Sequence, residues 1–501
     1  MSLPGLGLEE PEKVHIVETT QHHLEKEAEW RFEVPVGKHV QVKLLTGTAE
    51  LFGTELVTGN TYTFTATKAA IYTWNGCSFE VSGDALQSEY TAEETPMSEY
   101  INVHFALEEL RDQARASGRE GPRVLVLGPD NAGKTTLAKI LTGYANRSGR
   151  SPVVVNLDTK EGVMSIPGTL TATVFKSLID IEEGWGTAPM SGPNGAIPVK
   201  LPLVYFFGSS KPEEKEGRVY KAQVNRLALA VAGRLAQDSE ARESGLIIDT
   251  PGSLTNITAG NRVGYDIIQN IVSEFGISAI LCLGSERLYS DMVKKFDGQP
   301  IASRRSGTSP AETISVIKLA KSGGCVDRDV PYMVAFRAAQ IKTYFYGNPR
   351  LSNGVALQPR QQQVDFSTLT VWRRVGTTPD SSTLTATEED DEDSFLPGGA
   401  DDADDVSPAT TRVPLPPNQI FERVTAPVAA MRSSVLAVMN CDGEAEQEVM
   451  RDSSVMGFLY VTDTDEVRGR ISLLSPVAGR VPNRAIVWAG WPEGVIGLER
   501  M

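Results

Sequence analysis

The chain has 501 residues, 41% of them hydrophobic and 22% charged, an ordinary globular balance with room for about three domains and more than one sizeable core. Its 48 Lys plus Arg against 64 Asp plus Glu give a formal net charge of −16, which argues against a surface coated in positive charge for wrapping nucleic acid.

From about Trp30 to Val81, short β-type runs such as Trp30–Val34, Val40–Leu44, Tyr62–Thr65 and Ile71–Trp74 alternate with turn glycines at 37, 47, 53, 59 and 76. That spacing predicts an all-β sandwich over residues 1–100. Strand and helix then alternate over residues 101–350. Val124–Leu127, Val153–Leu157, Leu246–Asp249, Ala279–Leu283 and Thr313–Lys318 read as buried strands. Leu107–Ala116, Lys134–Tyr144, Tyr220–Ala236 and Ile267–Phe275 read as helices. Continuous apolar strands between helices imply a parallel sheet covered on both faces. Gly184–Pro198 is rich in Gly and Pro and reads as a long surface loop. Past Tyr344-Phe345-Tyr346-Gly347 the helical period stops. Val364–Trp372, Val435–Val438, Met456–Val461 and Val467–Leu474 predict a mostly β domain over 351–501. The fold class expected is therefore multidomain α/β, with a central parallel sheet between an N-terminal sandwich and a C-terminal β domain.

The negative charge is uneven. Ten acidic residues and no basic one lie between Glu388 and Asp405, which leaves −6 for the rest of the chain. A like-charge block beside Pro397, Gly398 and Gly399 reads as a disordered insertion, 388–405, serving as a spacer or an acidic docking segment.

Four cysteines, Cys77, Cys282, Cys325 and Cys441, stand far apart and support neither a disulfide framework nor a zinc ribbon. All five histidines lie at or before position 104, which weakens any Ser-His-Asp reading of later segments. No apolar stretch nears the roughly 18 residues that suggest a membrane span, and the first residues do not resemble a secretory or transit peptide. A soluble intracellular protein with no membrane partner is expected.

Gly128-Pro129-Asp130-Asn131-Ala132-Gly133-Lys134-Thr135 matches the phosphate-binding pattern G-x-x-x-x-G-K-[ST], fed by a strand and followed by a helix. Its glycines let backbone N–H groups wrap a phosphate, and the helix N-terminus faces the same anion. Lys134 would reach the β- and γ-phosphates, and the Thr135 hydroxyl would ligate Mg2+. Asp158 and Asp249 end the following strands, where a carboxylate can hold Mg2+ or orient a nucleophile. Asp158 could also serve as a general base without any histidine, although either Asp could merely cap the next segment. Asp249-Thr250-Pro251-Gly252 is similar to a GTPase switch, but no guanine-reading Asn/Thr-Lys-x-Asp follows it; Ser210-Lys211-Pro212-Glu213 is a near miss that precedes it.

Several stretches surround that loop in a specific order: Glu29-Trp30-Arg31-Phe32-Glu33, Phe52-Gly53-Thr54-Glu55-Leu56, Asn156-Leu157-Asp158, Ser165-Ile166-Pro167-Gly168-Thr169, Ser285-Glu286-Arg287-Leu288-Tyr289 and Tyr344-Phe345-Tyr346-Gly347. Together they resemble the mRNA cleavage-and-polyadenylation factor subunits of the polyribonucleotide 5′-hydroxyl-kinase family, in its fungal branch. The resemblance implies ATP with Mg2+ bound between the first two domains. In that reading Asn131, Ala132, Gly133, Lys134, Thr135 and Thr136 hold the phosphates, with Gly128 opening the loop, while Glu29 and Lys68 touch the base side. Thr135 and Asp249 would meet the metal. It also implies nuclear work in pre-mRNA 3′-end cleavage and polyadenylation. The main partner would be the large scaffold subunit of cleavage factor IA, which binds the RNA polymerase II tail, beside other 3′-end processing subunits.

Departures bear on activity. Active relatives look to need a Gly-Gln pair after the Asp, a Trp after the Asp-Thr strand and an arginine-rich lid. Here Thr159-Lys160-Glu161 and Ser253-Leu254 stand in the first two places, and no arginine lies between Arg328 and Arg337. Missing lid arginines remove transition-state stabilisation of phosphoryl transfer while sparing ATP binding. An ATP-holding structural subunit with a vestigial Asp158 is expected. The alternative is an active kinase that transfers the γ-phosphate to RNA 5′-hydroxyl ends with Asp158 as base. Arg468, Arg470, Arg480 and Arg484 could touch RNA phosphate, as a nucleotide-dependent RNA-binding module would, or form a solvated face or a protein contact.

Overall fold

The computed structural model describes residues 19–186, 201–256, 262–301, 313–349, 356–375 and 419–498. The expected acidic insertion at 388–405 and most of the Gly/Pro-rich loop lie outside them.

Nine strands build the N-terminal sandwich: β1 (Thr19–Leu24), β2 (Glu29–Glu33), β3 (His39–Gly47), β4 (Glu50–Leu51), β5 (Thr54–Glu55), β6 (Thr61–Thr65), β7 (Lys68–Tyr72), β8 (Cys77–Gly83) and β9 (Ser88–Ala92). They form a four-stranded sheet, β1-β8-β3-β6, and a five-stranded one, β5-β4-β7-β2-β9. Trp30, Phe32, Val40, Val42, Phe64 and Phe79 share one buried core. The alternation Val40, Val42, Leu44 points every second residue of β3 into it, as a strand with one buried face must.

Helix α1 (Met97–Ser117) leads to the central sheet, whose elements are β10 (Arg123–Leu127), α2 (Lys134–Arg147), β11 (Val153–Asn156), β12 (Thr169–Val174), β13 (Leu203–Phe206), α3 (Arg218–Gln237), α4 (Ser239–Ser244), β14 (Leu246–Asp249), α5 (Val263–Phe275), β15 (Ala279–Leu283), α6 (Glu286–Phe296) and β16 (Ser315–Leu319). The strand order is β13-β12-β11-β14-β10-β15-β16. The five strands from β11 to β16 run parallel, as their apolar runs predict. In β10, Leu125 and Leu127 face one core while Val124 and Val126 face the other, so both faces are covered. β12 and β13 extend one edge with antiparallel pairing. No helix separates β11 from β12, and without a crossover the chain returns antiparallel.

Helix α7 (Val330–Tyr346) occupies the arginine-poor stretch. The C-terminal part contains β17 (Arg360–Asp365), β18 (Thr370–Arg374), β19 (Phe421–Val424), β20 (Val435–Met439), α8 (Gln447–Arg451), β21 (Val455–Asp465), β22 (Arg470–Ser475) and β23 (Ala485–Trp488). Its sheet runs β17-β22-β21-β20-β23-β18-β19. The single strand expected over Val364–Trp372 is two, β17 and β18, because Phe366–Thr368 forms a 3-10 turn capped by Asp365. The strand expected from Val467 begins at Arg470, after a turn in which Gly469 takes a φ of 63°. Val435, Ala437 and Met439 of β20 face one core, which α7 covers with Ile341, Tyr344 and Phe345. Leu436 and Val438 face the other. Among the described residues no helix is long and apolar enough to cross a membrane.

Candidate nucleotide site

The loop between β10 and α2 sits at the C-terminal ends of the parallel strands, where ligands of open α/β sheets bind. Its shape depends on Gly133, whose φ of 87° suits glycine and whose Cβ, if present, would lie 2.7 Å from Cys325 Sγ. Asn131 also has a positive φ, 56°. Ala132 is buried, and Thr136 is half-buried in the first turn of α2. A Cβ on Gly128 would meet the Leu283 carbonyl at 2.9 Å, so the loop is seated tightly on the end of β15. Buried Lys134 curls over the loop, its Nζ donating to the Pro129 carbonyl at 2.8 Å.

β14 delivers Asp249 beside Asn156 of β11 and Val126 of β10. The Thr135 hydroxyl donates to Asp249 Oδ2 at 2.5 Å, so the two expected metal ligands touch. Asp158 lies just beyond β11, its backbone N–H donating to Asn156 Oδ1 at 3.1 Å and its Oδ1 accepting the Lys160 N–H at 2.8 Å. Burial pushes the Asp158 carboxyl up to about 7, and Glu161 and Asp249 push the same way while Lys134 opposes. Burial likewise raises Asp249 to about 6, against Lys134 and the Thr135 hydrogen bond. Two desolvated carboxylates that share one lysine suit a further cation. Among the described residues no group of three or more His, Cys, Asp or Glu has metal-binding geometry. A cation held by Thr135 and Asp249 would complete its shell from phosphate and water, as Mg2+ does. The residues present fit the expected group.

Glu29 and Lys68 are both drawn to the seam between sandwich and loop, though neither is left open. Glu29 is 4% exposed. It accepts from Arg31 Nε at 2.5 Å and from the Thr95 hydroxyl at 3.1 Å. Arg31 in turn packs against Gly324, where a Cβ would lie 2.9 Å from its Nε, and Gly324 precedes the Cys325 that touches Gly133. Lys68 pairs with Glu33 at 3.0 Å and sits 5.1 Å from the centre of the Tyr332 ring in α7.

Ion pairs and hydrogen bonds between distant segments tie the loop to its surroundings. Arg328 pairs with Glu161 and donates from Nε to Asn131 Oδ1 at 3.2 Å, while Asn131 Nδ2 donates to Asp327 Oδ1 at 3.4 Å. Lys160 pairs with Asp130 at 3.2 Å. Arg337 pairs with Glu493. Both arginines bounding the lid stretch are thus committed to carboxylates of the chain. The sequence shows only that no arginine lies between these two; that each is paired, and with which carboxylate, had no local signal. A cavity of about 500 Å3 lined by β11, β12, β13 and α3 includes none of the loop residues. Its two cations, Lys176 and Arg234, already pair with Asp238 at 3.0 and 3.1 Å.

Three consecutive family matches run along the chain. They are an N-terminal beta-sandwich domain of polyadenylation factor over residues 23–114, an mRNA cleavage and polyadenylation factor CLP1 P-loop over 128–347, and a pre-mRNA cleavage complex II protein Clp1 over 357–493. The mRNA cleavage and polyadenylation factors clp1 of Aspergillus oryzae and Emericella nidulans are 48% and 49% identical to it, over 99% of this chain and 100% of each relative. That of Aspergillus niger is 51% identical, over 97% of this chain and 98% of the relative. A solved wild-type Clp1p–Pcf11p (454–563) complex shares the fold, with a TM-score of 0.76 at 24% identity, covering 95% of this chain and 98% of that one. A second solved structure, with a TM-score of 0.75 and the same identity and coverage, concerns an extended interface between Pcf11p and Clp1p and the structural basis for ATP loss in a glycine-to-arginine mutant. Matched from its sandwich to its C-terminal sheet, the chain belongs to the Clp1 family of mRNA cleavage and polyadenylation factors.

Proposed function

We propose that this chain is an ATP-holding structural subunit of the nuclear pre-mRNA 3′-end cleavage and polyadenylation machinery, without efficient kinase activity. The observation that carries the reading is a complete phosphate loop followed by a lid stretch whose two bounding arginines are already paired with carboxylates. Arg328 is bound to Glu161 and Arg337 to Glu493, and between them lie the apolar turns Val330–Phe336. Phosphoryl transfer depends on positive charge closing over the moving group. Here the chain supplies Lys134 for the phosphates, Thr135 and Asp249 for Mg2+, and the sandwich as a wall at Glu29 and Lys68. Bound ATP would bring its triphosphate charge to the loop, and Mg2+ would shield that charge from Asp158 and Asp249. Asn131, Ala132, Gly133 and Thr136 would line the phosphates with Gly128 at the base of the loop.

Binding that favours the folded, joined state stabilises it by linkage, by about 2.7 kcal/mol at a ligand concentration a hundredfold above Kd. The surface so stabilised would receive a scaffold protein of the Pcf11 type, the partner in the solved relative's complex. Other 3′-end processing subunits would join through it, and RNA contact would fall to the C-terminal arginines.

The test is nucleotide content. The purified chain should release ATP on denaturation, and Lys134→Ala should abolish that content and lower the melting temperature by several degrees. Retention of ATP by Lys134→Ala would sink the reading. Robust 5′-phosphorylation of 5′-hydroxyl RNA, abolished by Asp158→Asn, would replace it with an active kinase.

A further inference from the structure

The loop that carries Asp158, residues 157–168, connects β11 to β12 without regular secondary structure and is mostly buried. Buried backbone groups need partners, and several of this loop's partners come from far along the chain. The Thr159 carbonyl accepts from the Gly168 N–H at 2.9 Å and from Trp491 Nε1 at 3.0 Å. Gly162 is clasped by one carboxamide: its N–H donates to Gln340 Oε1 at 3.2 Å, and its carbonyl accepts from Gln340 Nε2 at 2.5 Å. A Cβ on Gly168 would touch Trp491 and Pro492 at 3.3 Å. Trp491 is itself fixed, with the Arg337 guanidinium 4.6 Å from its ring centre and Arg337 Nε donating to Glu493 at 2.8 Å.

Gln340 and Arg337 belong to α7. Tyr332, near the start of that helix, meets Lys68, and Ile341, Tyr344 and Phe345 are buried on the C-terminal sheet. The helix is therefore a strut from the nucleotide seam to the C-terminal core, bracing the Asp158 loop on its way.

We propose that Trp491 and Gln340 are positioning residues that latch this loop from the C-terminal side and set how long a nucleotide stays bound. The inference rests on the nucleotide reading above. Neither residue is placed to touch phosphate; each acts by holding the backbone that presents Asp158 and Glu161. Loss of one such hydrogen bond shifts a loop equilibrium by about three- to tenfold, and a loop that opens more often releases its ligand sooner.

The experiment follows dissociation of a fluorescent ATP analogue from the full chain after a chase with excess ATP, beside hydrogen exchange of peptides covering 159–168 in the nucleotide-free chain. Trp491→Phe and Gln340→Ala should each release the analogue about three- to tenfold faster and exchange faster in that segment. Trp372→Phe is the control, since Trp372 also donates from its indole to a backbone carbonyl, that of Gly443, at 2.9 Å; it should leave both readings unchanged. If Trp491→Phe does not fold, Gln340→Ala and Glu493→Gln decide. Unaltered release rates with intact binding overturn the latch. If the unaltered chain binds no nucleotide, the functional reading fails instead, and unchanged exchange in the variants then overturns the positioning role separately.

Discussion

Asp158 and His104 are buried titratable groups whose environments push them in opposite senses. Burial holds His104 down to about 4, with only Glu108 opposing, whereas Asp158 is raised to about 7. An unfolded histidine takes up its proton near pH 6.5, so stability carried by neutral His104 is full above that value and is lost as pH falls toward 4. For Asp158 the folded form keeps a proton that the unfolded chain has released near pH 4. Its contribution to the nucleotide-free chain therefore falls as pH rises from about 4 through 7. Each slope is at most about 1.4 kcal/mol per pH unit. Thermal melts should separate them: the melting point of His104→Phe relative to the unaltered chain rises as the buffer goes from pH 6.5 to 4.5, and that of Asp158→Asn rises from pH 5 to 8. Flat differences would contradict the burial argument. The loop residues Gly128 to Thr136 were legible in the sequence because they are contiguous and their chemistry is set by spacing. Glu161 and Arg328 were not legible as a pair, because 167 positions separate them and neither has a local pattern.

At the scale of elements, α2 carries the loop at one end and is joined to the sandwich along its side. Gly53 and Gly143 approach so closely that a Cβ on Gly143 would lie 2.7 Å from the Gly53 carbonyl. Nearby, Glu50 accepts the Tyr144 hydroxyl at 2.5 Å and pairs with Arg147 at 3.2 Å. In an isolated helix, Gly143→Ala would add about 1 kcal/mol of stability. Here it should destabilise by about 1–3 kcal/mol through overpacking and weaken nucleotide retention, as denaturant unfolding and ATP content would show. A gain in stability would mean that the two glycines can part without loss. The strands of the central sheet could be read from their apolar runs, because every residue of such a strand is buried. α7 could not: apolar residues occur on all its sides, only Arg337, Ile341, Tyr344 and Phe345 are buried, and Pro331 in the first turn looks like a breaker. β12 escaped because its Thr-Leu-Thr-Ala-Thr-Val sequence has none of the continuous apolar character of its neighbours.

Across the whole molecule, the sandwich, the central sheet and the C-terminal sheet all touch one contiguous region through Arg31, Lys134 and α7. A ligand that tightens this region should be felt in all three parts, because the free energy of opening is shared wherever packing is continuous. Saturating ATP is expected to slow hydrogen exchange in β2 and β7 and in β20 and β21, besides α2. Protection confined to α2 and its loop would show that the three parts open independently. Net charge, read at the same scale, says less: ten negative charges lie in the 388–405 stretch, whereas the balance at the nucleotide seam is set by individual pairs.

The bond from Trp491 to Thr159 spans 332 positions, and that distance has a meaning in time. At about 5–20 residues per second, a ribosome takes roughly 17 to 66 seconds to travel from one to the other. For that interval the Asp158 loop has been synthesised and the indole that clasps it has not. Any nucleotide captured early would be held by a half-finished grip, and firm retention would mark a chain whose translation has passed Trp491.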